Sequence, residues 1–314
     1  MHYPFQILQR NDFDVVGFGT NAVDYLIRVP DYPVYNSKVE LTDYTIAPGG
    51  EIATTMFGLQ KLGLKTAYVG RFGGDGAGEL GLLSLAEAGV NLAYAETVQD
   101  AKTQIAFILI DDKSGERTVI WQRDNELAYA VADAPIEAAA RGRVLHITPH
   151  DTQTCIRLAR IARDNGIIVS IDLDNVFDGV EELLSLVDIC IASAEFPEKL
   201  LGIADKKAAL SEIKSRFGCA VTGLTLGASG SIFLFQDSFI ETSGFDVPGG
   251  CVDTTGAGDA FRTGFLYGML TGMTVAESAV TANAVAALKC RSLGARSGLP
   301  DKTELKTLLK KYRL

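Results

Sequence analysis

Short apolar runs closed by Gly, Asp, Ser or Thr recur along the chain and alternate with longer stretches of helical period. Asp14–Gly19, Thr66–Gly70, Val144–Thr148, Ile167–Asp172, Val187–Ala192 and Val221–Leu226 read as buried strands. Ile52–Leu62 and Thr152–Asn165 read as helices. In the second, Ile156, Ala159 and Ala162 recur at helical spacing before Asn165-Gly166 stops it. Such alternation predicts a mostly parallel sheet with helices on both faces. Two stretches depart from it. Lys38–Ile46, within Tyr25–Ile46, alternates at period two, and Thr103–Gln122 holds two strand-like runs joined by the polar Asp111–Glu116. They predict either a small separate sheet covering a site or an edge extension of the main sheet. No repeat, low-complexity tract or Pro/Gly-rich linker divides the 314 residues, so 1–314 is expected to be one domain.

Composition narrows the function classes. The chain is 47% hydrophobic and carries a net charge of −10, and no apolar run is long enough to span a membrane. This acidity makes nucleic acid and anionic membranes poor partners. The five cysteines are dispersed about 30 residues apart without a Cys-x-x-Cys. With no signal-like run in Met1–Asp14, they point to reduced thiols and a cytoplasmic location. Glycine is in surplus, 32 residues or roughly a tenth against an ordinary ~7%.

The glycines cluster where they can serve chemistry. In Asp253–Phe261 (DTTGAGDAF), Gly256-Ala257-Gly258 precedes a helix with Phe261 and Phe265 on one face and Gly264 and Gly268 on another. Bare amides at a helix N-terminus attract an anion. Asp259 in the first turn either complements the helix dipole or acts as a general base on a hydroxyl attacking a phosphate. Asp253 lies six residues earlier, with turn bonding or capping as its alternative. Pro48-Gly49-Gly50 before the Ile52 helix offers a second set of amides, or a simple turn. Gly76–Gly81 matches G-x-G-x-x-G with Glu96 twenty residues on, but Arg71–Asp75 separates it from the strand, where a dinucleotide fingerprint needs a direct turn. Ser229 falls short of a nucleophile elbow because a strand follows it. Pro149 argues against a helical metal pair of His146 and His150, and no P-loop motif occurs.

DTTGAGDAF resembles the C-terminal signature of the ribokinase-like, or PfkB, family of carbohydrate kinases. The resemblance extends back through Gly49-Gly50, Leu62-Gly63 and Gly70–Gly78, and forward to Asn283-Ala284 and Gly294-Ala295. It implies an α/β fold: a three-layer α/β/α domain with a mostly parallel central sheet and a small β-sheet lid, here about 25–46 and 103–122. It implies ATP-dependent phosphorylation of a hydroxyl on a small sugar or sugar-like substrate, with Mg²⁺. By that resemblance Asp259 is the base and Gly256, Ala257 and Gly258 form the anion hole. Asp24, Gly49, Gly50 and Thr54 fall at the sugar. Thr225, Gly227 and Gly230 line the nucleotide site, with Asn283 near adenine. Asp253 and Thr255, with Gly294, match positions that hold a monovalent cation such as K⁺ in some members. The sequence departs from the family twice. Ser193-Ala194-Glu195-Phe196 stands where Asn-x-x-Glu often organises magnesium, leaving Glu195 as an offset substitute. Thr54 stands where ribokinases carry Asn, which counts against ribokinase itself. The rivals are an NAD(P)-dependent dehydrogenase using Gly76–Gly81 and a non-catalytic sugar or nucleotide sensor. Exposed strands in a small sheet also suggest a homodimer through the lid.

Overall fold

The computed structural model describes residues 3–9 and 11–311; Met1, His2 and Arg10 of the Met1–Asp14 segment, which carries no signal-like run, lie outside them. The strands are β1 Phe13–Phe18, β2 Ala22–Val29, β3 Asp43–Gly49, β4 Thr66–Val69, β5 Arg71–Gly73, β6 Glu96–Val98, β7 Ile105–Asp111, β8 Arg117–Gln122, β9 Gly142–Ile147, β10 Ile168–Leu173, β11 Ile189–Ser193, β12 Val221–Thr225, β13 Ser231–Phe235 and β14 Ser238–Thr242. The helices are α1 Glu51–Lys61, α2 Gly76–Glu87, α3 Ile136–Ala139, α4 Thr152–Asp164, α5 Val180–Leu184, α6 Phe196–Leu201, α7 Lys206–Phe217, α8 Ala257–Leu270, α9 Val275–Lys289 and α10 Lys302–Lys311.

Eight strands form the main sheet in the order β14-β13-β12-β11-β10-β9-β1-β4. All neighbours from β4 to β12 are parallel, and β13 and β14 close the edge antiparallel. Alternate residues of each strand feed two separate cores. Val15, Val144, Ile168 and Ile189 pack toward α1, α8 and α9. Their neighbours Val16, Leu145, Val169 and Cys190 pack toward α4, α5 and α7. Apolar residues on both sides of a strand are what a doubly covered parallel sheet demands, and this is why these runs read as continuous hydrophobic stretches. The chain leaves β1 toward β4 on one side, whereas β9 to β12 step away on the other. The strand order therefore reverses between β1 and β9. A crevice for ligands is expected there, at the carboxyl ends of the strands.

β3-β2-β7-β8 form a separate four-stranded sheet, not an extension of the main one, over its own core of Leu26, Ala106, Ile108 and Ile110. Lys38–Ile46 is corrected in part: residues 38–42 are exposed and outside any strand, and pairing runs from Arg28↔Asp43 to Ala22↔Gly49. Pro30 follows β2 and lacks an N–H, so the ladder stops where Thr42 N donates to Arg28 O at 2.9 Å. The Gly76–Gly81 motif lies inside α2, which Asp75 caps by accepting from Gly78 N. Gly78 sits against the Gly73 carbonyl and Gly81 against the Phe72 ring. These glycines serve helix packing beside the β5–β6 pair, and no turn there could cradle a pyrophosphate.

Candidate active site

A cleft of about 640 Å³ opens at the carboxyl ends of the main sheet, beneath the small sheet. Thr20, Asp172, Ser193 and Thr225 mark the ends of β1, β10, β11 and β12 along its floor. The start of α8 enters it from one side. Gly256 caps the helix with φ 75°, and a Cβ there would lie 2.8 Å from Ala295 Cα, so the turn requires glycine. The amide of Ala257 closes the turn onto Thr254 O at 3.1 Å. The next helical amides, of Gly258 and Asp259, lack an intrahelical acceptor, and both residues line the cleft. Behind this turn, Gly264 and Gly268 let α9 approach closely, since a Cβ at either would lie 2.6–2.8 Å from Ala282 or Ser278 Cα. On another face Phe261 and Phe265 stack on Phe233 of the sheet, at 6.2 and 5.0 Å between centroids. Close packing on both faces fixes where the helix start can point.

Asp259 stands among charges that sequence patterning does not connect. Arg262, one turn on, is 4% exposed and binds Asp172 Oδ1 at 2.6 Å and Ile191 O at 3.0 Å. Glu51, the first residue of α1, faces the same space, with His150 Nδ1 3.8 Å from its Oε2. Burial pushes Asp259 up to about 7, helped by Glu51 and opposed by Arg262 and Arg117. Burial likewise raises Asp172 and Glu51, with Arg262 opposing both. Desolvation lowers His150 to about 4 and the fully enclosed His146, bonded to Ser170 Oγ, to about 3. Both rings are therefore neutral near pH 7, and they do not form a pair.

The other predicted residues divide between cleft and scaffold. Asp24 lines the cleft at 4% exposure, and burial raises it to about 7 against the pull of Arg296. A Cβ at Gly49 would lie 2.1 Å from Asp24 Oδ2, so this glycine makes room for the carboxylate. The Gly49 carbonyl accepts from Arg296 Nη2, 2.6 Å away, and Arg296 Nη1 donates to Ser84 Oγ. Gly50 (φ 88°) lines the cleft; Thr54 is fully buried in α1 and does not. Thr225, Gly227 and Gly230 lie together at the opposite end with Asn283. The Asn283 amide nitrogen is committed to Thr242 Oγ1, Ser231 Oγ and Ala279 O, leaving its carbonyl oxygen for a ligand. Asp253 and Gly294 lie behind the cleft. Asp253 is fully buried, accepting from Thr255 N and Gly294 N, each at 2.7 Å. Thr255 lines the cleft. Glu195 is exposed at the start of α6 and outside the lining; Ser193 faces the cleft instead.

Arg262, Asp172, Glu51, Arg296 and Lys289 were not singled out from sequence. The available signals were a charge in the apolar run FRTGF and a lysine in the alanine-rich end of α9.

Parallel layers, a switch-point cleft and a glycine-capped helix start beside a carboxylate define an α/β protein of the doubly wound class. A family model of the pfkB family carbohydrate kinases matches residues 14–302, and the chain belongs to that family. It is 26% identical to a nucleoside kinase of Methanothermobacter thermautotrophicus, covering 93% of this chain and 94% of that one. It is 28% identical to a ribokinase of Haemophilus influenzae, covering 91% and 95%. In fold it is similar to the Arabidopsis thaliana ribokinase solved with ribose and ATP, at a TM-score of 0.81 and 24% identity over 95% of this chain and 99% of that one. Among the described residues no helix is long and apolar enough to cross a membrane.

Proposed function

We propose that the protein transfers the γ-phosphoryl group of ATP to a hydroxyl of a small, uncharged sugar or sugar-like substrate. The observation that carries this reading is the placement of Asp259 beside the N–H groups that open α8, inside the switch-point cleft. The acceptor hydroxyl gives its proton to the Asp259 carboxylate as its oxygen bonds to the γ-phosphorus. The bond to the bridging oxygen breaks and ADP leaves. The Gly258 and Asp259 amides and the α8 dipole stabilise charge on the transferring group. Gly227 faces open space and admits the nucleotide closely, Gly230 lets the turn pack against Thr242 O behind it, and Phe245, Val247 and Ala286 offer an apolar slot for the base. Magnesium, when bound, offsets phosphate charge. Among the described residues no group of three or more His, Cys, Asp or Glu forms a metal site.

The far end of the cleft supports the uncharged substrate. Asp24, Glu51, Asp172 and Asp174 line it, while Arg262 is already paired with Asp172. A phosphate or carboxylate entering there would meet carboxyls that burial keeps from ionising readily, and among the described residues Arg117 is the one cation of that lining outside an ion pair. Trp121, His150 and Phe177 form an aromatic wall, with centroid separations of 5.9 and 5.0 Å, suited to the apolar face of a sugar ring. The small sheet acts as the lid: at its β7–β8 hairpin Gly115 O accepts from Thr254 N at 3.0 Å, and Arg117 Nη1 donates to Thr254 Oγ1 at 3.1 Å. Closure excludes water that would otherwise take the phosphoryl group. The outer face of this sheet exposes Tyr44, Phe107 and Ile120, consistent with pairing of two copies there, which light scattering tests. An ADP-release screen over neutral sugars, nucleosides, sugar acids and sugar phosphates tests the function. Turnover confined to neutral substrates is expected, and preference for a phosphorylated or acidic sugar overturns the assignment of charge.

A further inference from the structure

The resemblance implies a monovalent cation held by the carbonyls of the turn before α8, and the residues present do not fit one. Lys289, the last residue of α9, is fully buried and aims its ammonium into that place. Its Nζ donates to the Asp253 carbonyl at 2.7 Å and lies 3.8 Å from Asp253 Oδ2. The same carboxylate ties both sides of the site, through Thr255 N and Gly294 N. The loop beyond α9 folds back over the lysine so tightly that a Cβ on Gly298 would lie 2.1 Å from Lys289 O. A potassium ion at the Asp253 carbonyl would meet the Lys289 ammonium, which already takes that oxygen, and like charges repel strongly in a dry interior. Removal of the ammonium would leave a fully buried carboxylate without a counter-charge.

We propose that Lys289 is a built-in monovalent cation: a positioning residue that holds the 253–256 turn, and through it the helix start facing the phosphate, so that the protein needs no potassium. Two consecutive segments supply the arrangement, since α9 delivers the ammonium and the 292–298 loop delivers the Gly294 amide. The inference rests on reading this turn as the phosphate cradle, but its test does not depend on turnover.

The experiment measures melting temperature and the affinity for ADP of the full chain in KCl, NaCl and tetramethylammonium chloride at one ionic strength near 0.1 M, where screening is equal. The wild type is expected to give the same melting temperature in all three salts, and ADP affinities within about twofold of one another, a difference below ~0.5 kcal/mol. Lys289→Ala, which opens space, should bind ADP about 10–100-fold more weakly in tetramethylammonium, the range seen when a group orienting a binding set is lost. Potassium should restore part of that loss. Lys289→Met fills the space without charge and should be weakened without rescue. A purely structural lysine would not give potassium-selective rescue. A wild type whose melting temperature or ADP affinity rises selectively in potassium overturns the proposal, and this holds even if neither variant folds. Failure to bind ADP in every salt would instead count against the kinase reading, while the salt dependence of melting still decides the role of Lys289.

Discussion

Replacing Asp259 by asparagine should destroy activity while making the protein more stable, and the two effects have one cause. The carboxylate stands near 7 because burial and Glu51 disfavour its charge. Set against an ordinary value of 3.8, that difference of about 3 pH units corresponds to about 4 kcal/mol at 1.36 kcal/mol per unit. Water reaching the carboxylate through the cleft reduces the realised cost to about 1–2 kcal/mol. For a raised carboxylate, the folded state holds the proton more tightly than the unfolded chain. Stability therefore falls as pH rises from about 4 to about 7, and the full cost persists above 7. The neutral amide of the Asp259→Asn variant carries no such charge. At pH 8 the variant should unfold at higher denaturant than the wild type, an advantage that fades below about pH 4. In a coupled ADP-release assay its kcat should fall by about 10²–10⁴, or roughly 3–5 kcal/mol of transition-state stabilisation. A variant within tenfold of wild-type kcat, or one less stable than wild type at pH 8, would refute the reasoning.

Three further outcomes follow from the same geometry. Wild-type kcat/KM should rise with pH on a limb near 7 that belongs to the coupled cleft carboxyls, Asp259 with Glu51 and Asp172, and Asp24 alongside, since His146 and His150 are neutral above about 5; a flat profile from pH 5 to 8 would contradict it. Gly256→Ala forces a side chain into φ 75° and against Ala295, so it should cost about 1–3 kcal/mol in denaturant unfolding and lower kcat more than it raises the substrate KM; unchanged stability would be inconsistent with that turn. Arg262→Met leaves Asp172 buried and unpaired, with an expected loss of about 3–5 kcal/mol that Asp172→Asn in the same chain should partly restore; additive losses in the double variant would argue against the pair.

The layered fold was legible because a doubly covered strand leaves a contiguous apolar run, and all six runs named from sequence became neighbouring strands. The glycine-capped α8 was legible for a local reason: a Gly-Ala-Gly helix start, a carboxylate in the first turn and packing glycines lie within sixteen residues. The extent of β3 was not, because Lys38–Thr42 alternates as well as Asp43–Ile46 does, and only the end of β2 at Pro30 decides between them. Electrostatics at the site were illegible for a different reason. Arg262 meets Asp172 from 90 residues away, and Lys289 meets Asp253 from 36. No local pattern encodes such pairs, and in sequence Lys289 ends a helix like any solvated lysine. The tertiary fold alone turns it into a buried charge.

The most direct test of the central claim is transfer of labelled γ-phosphoryl from ATP to a panel of neutral sugars and nucleosides, with Asp259→Asn measured alongside. The account predicts that at least one neutral substrate gains the label in proportion to ADP formed, and that the variant does so at least about 100-fold more slowly. ATP and a sugar that both bind while no ADP forms across the panel, or equal labelling by the variant, would contradict it.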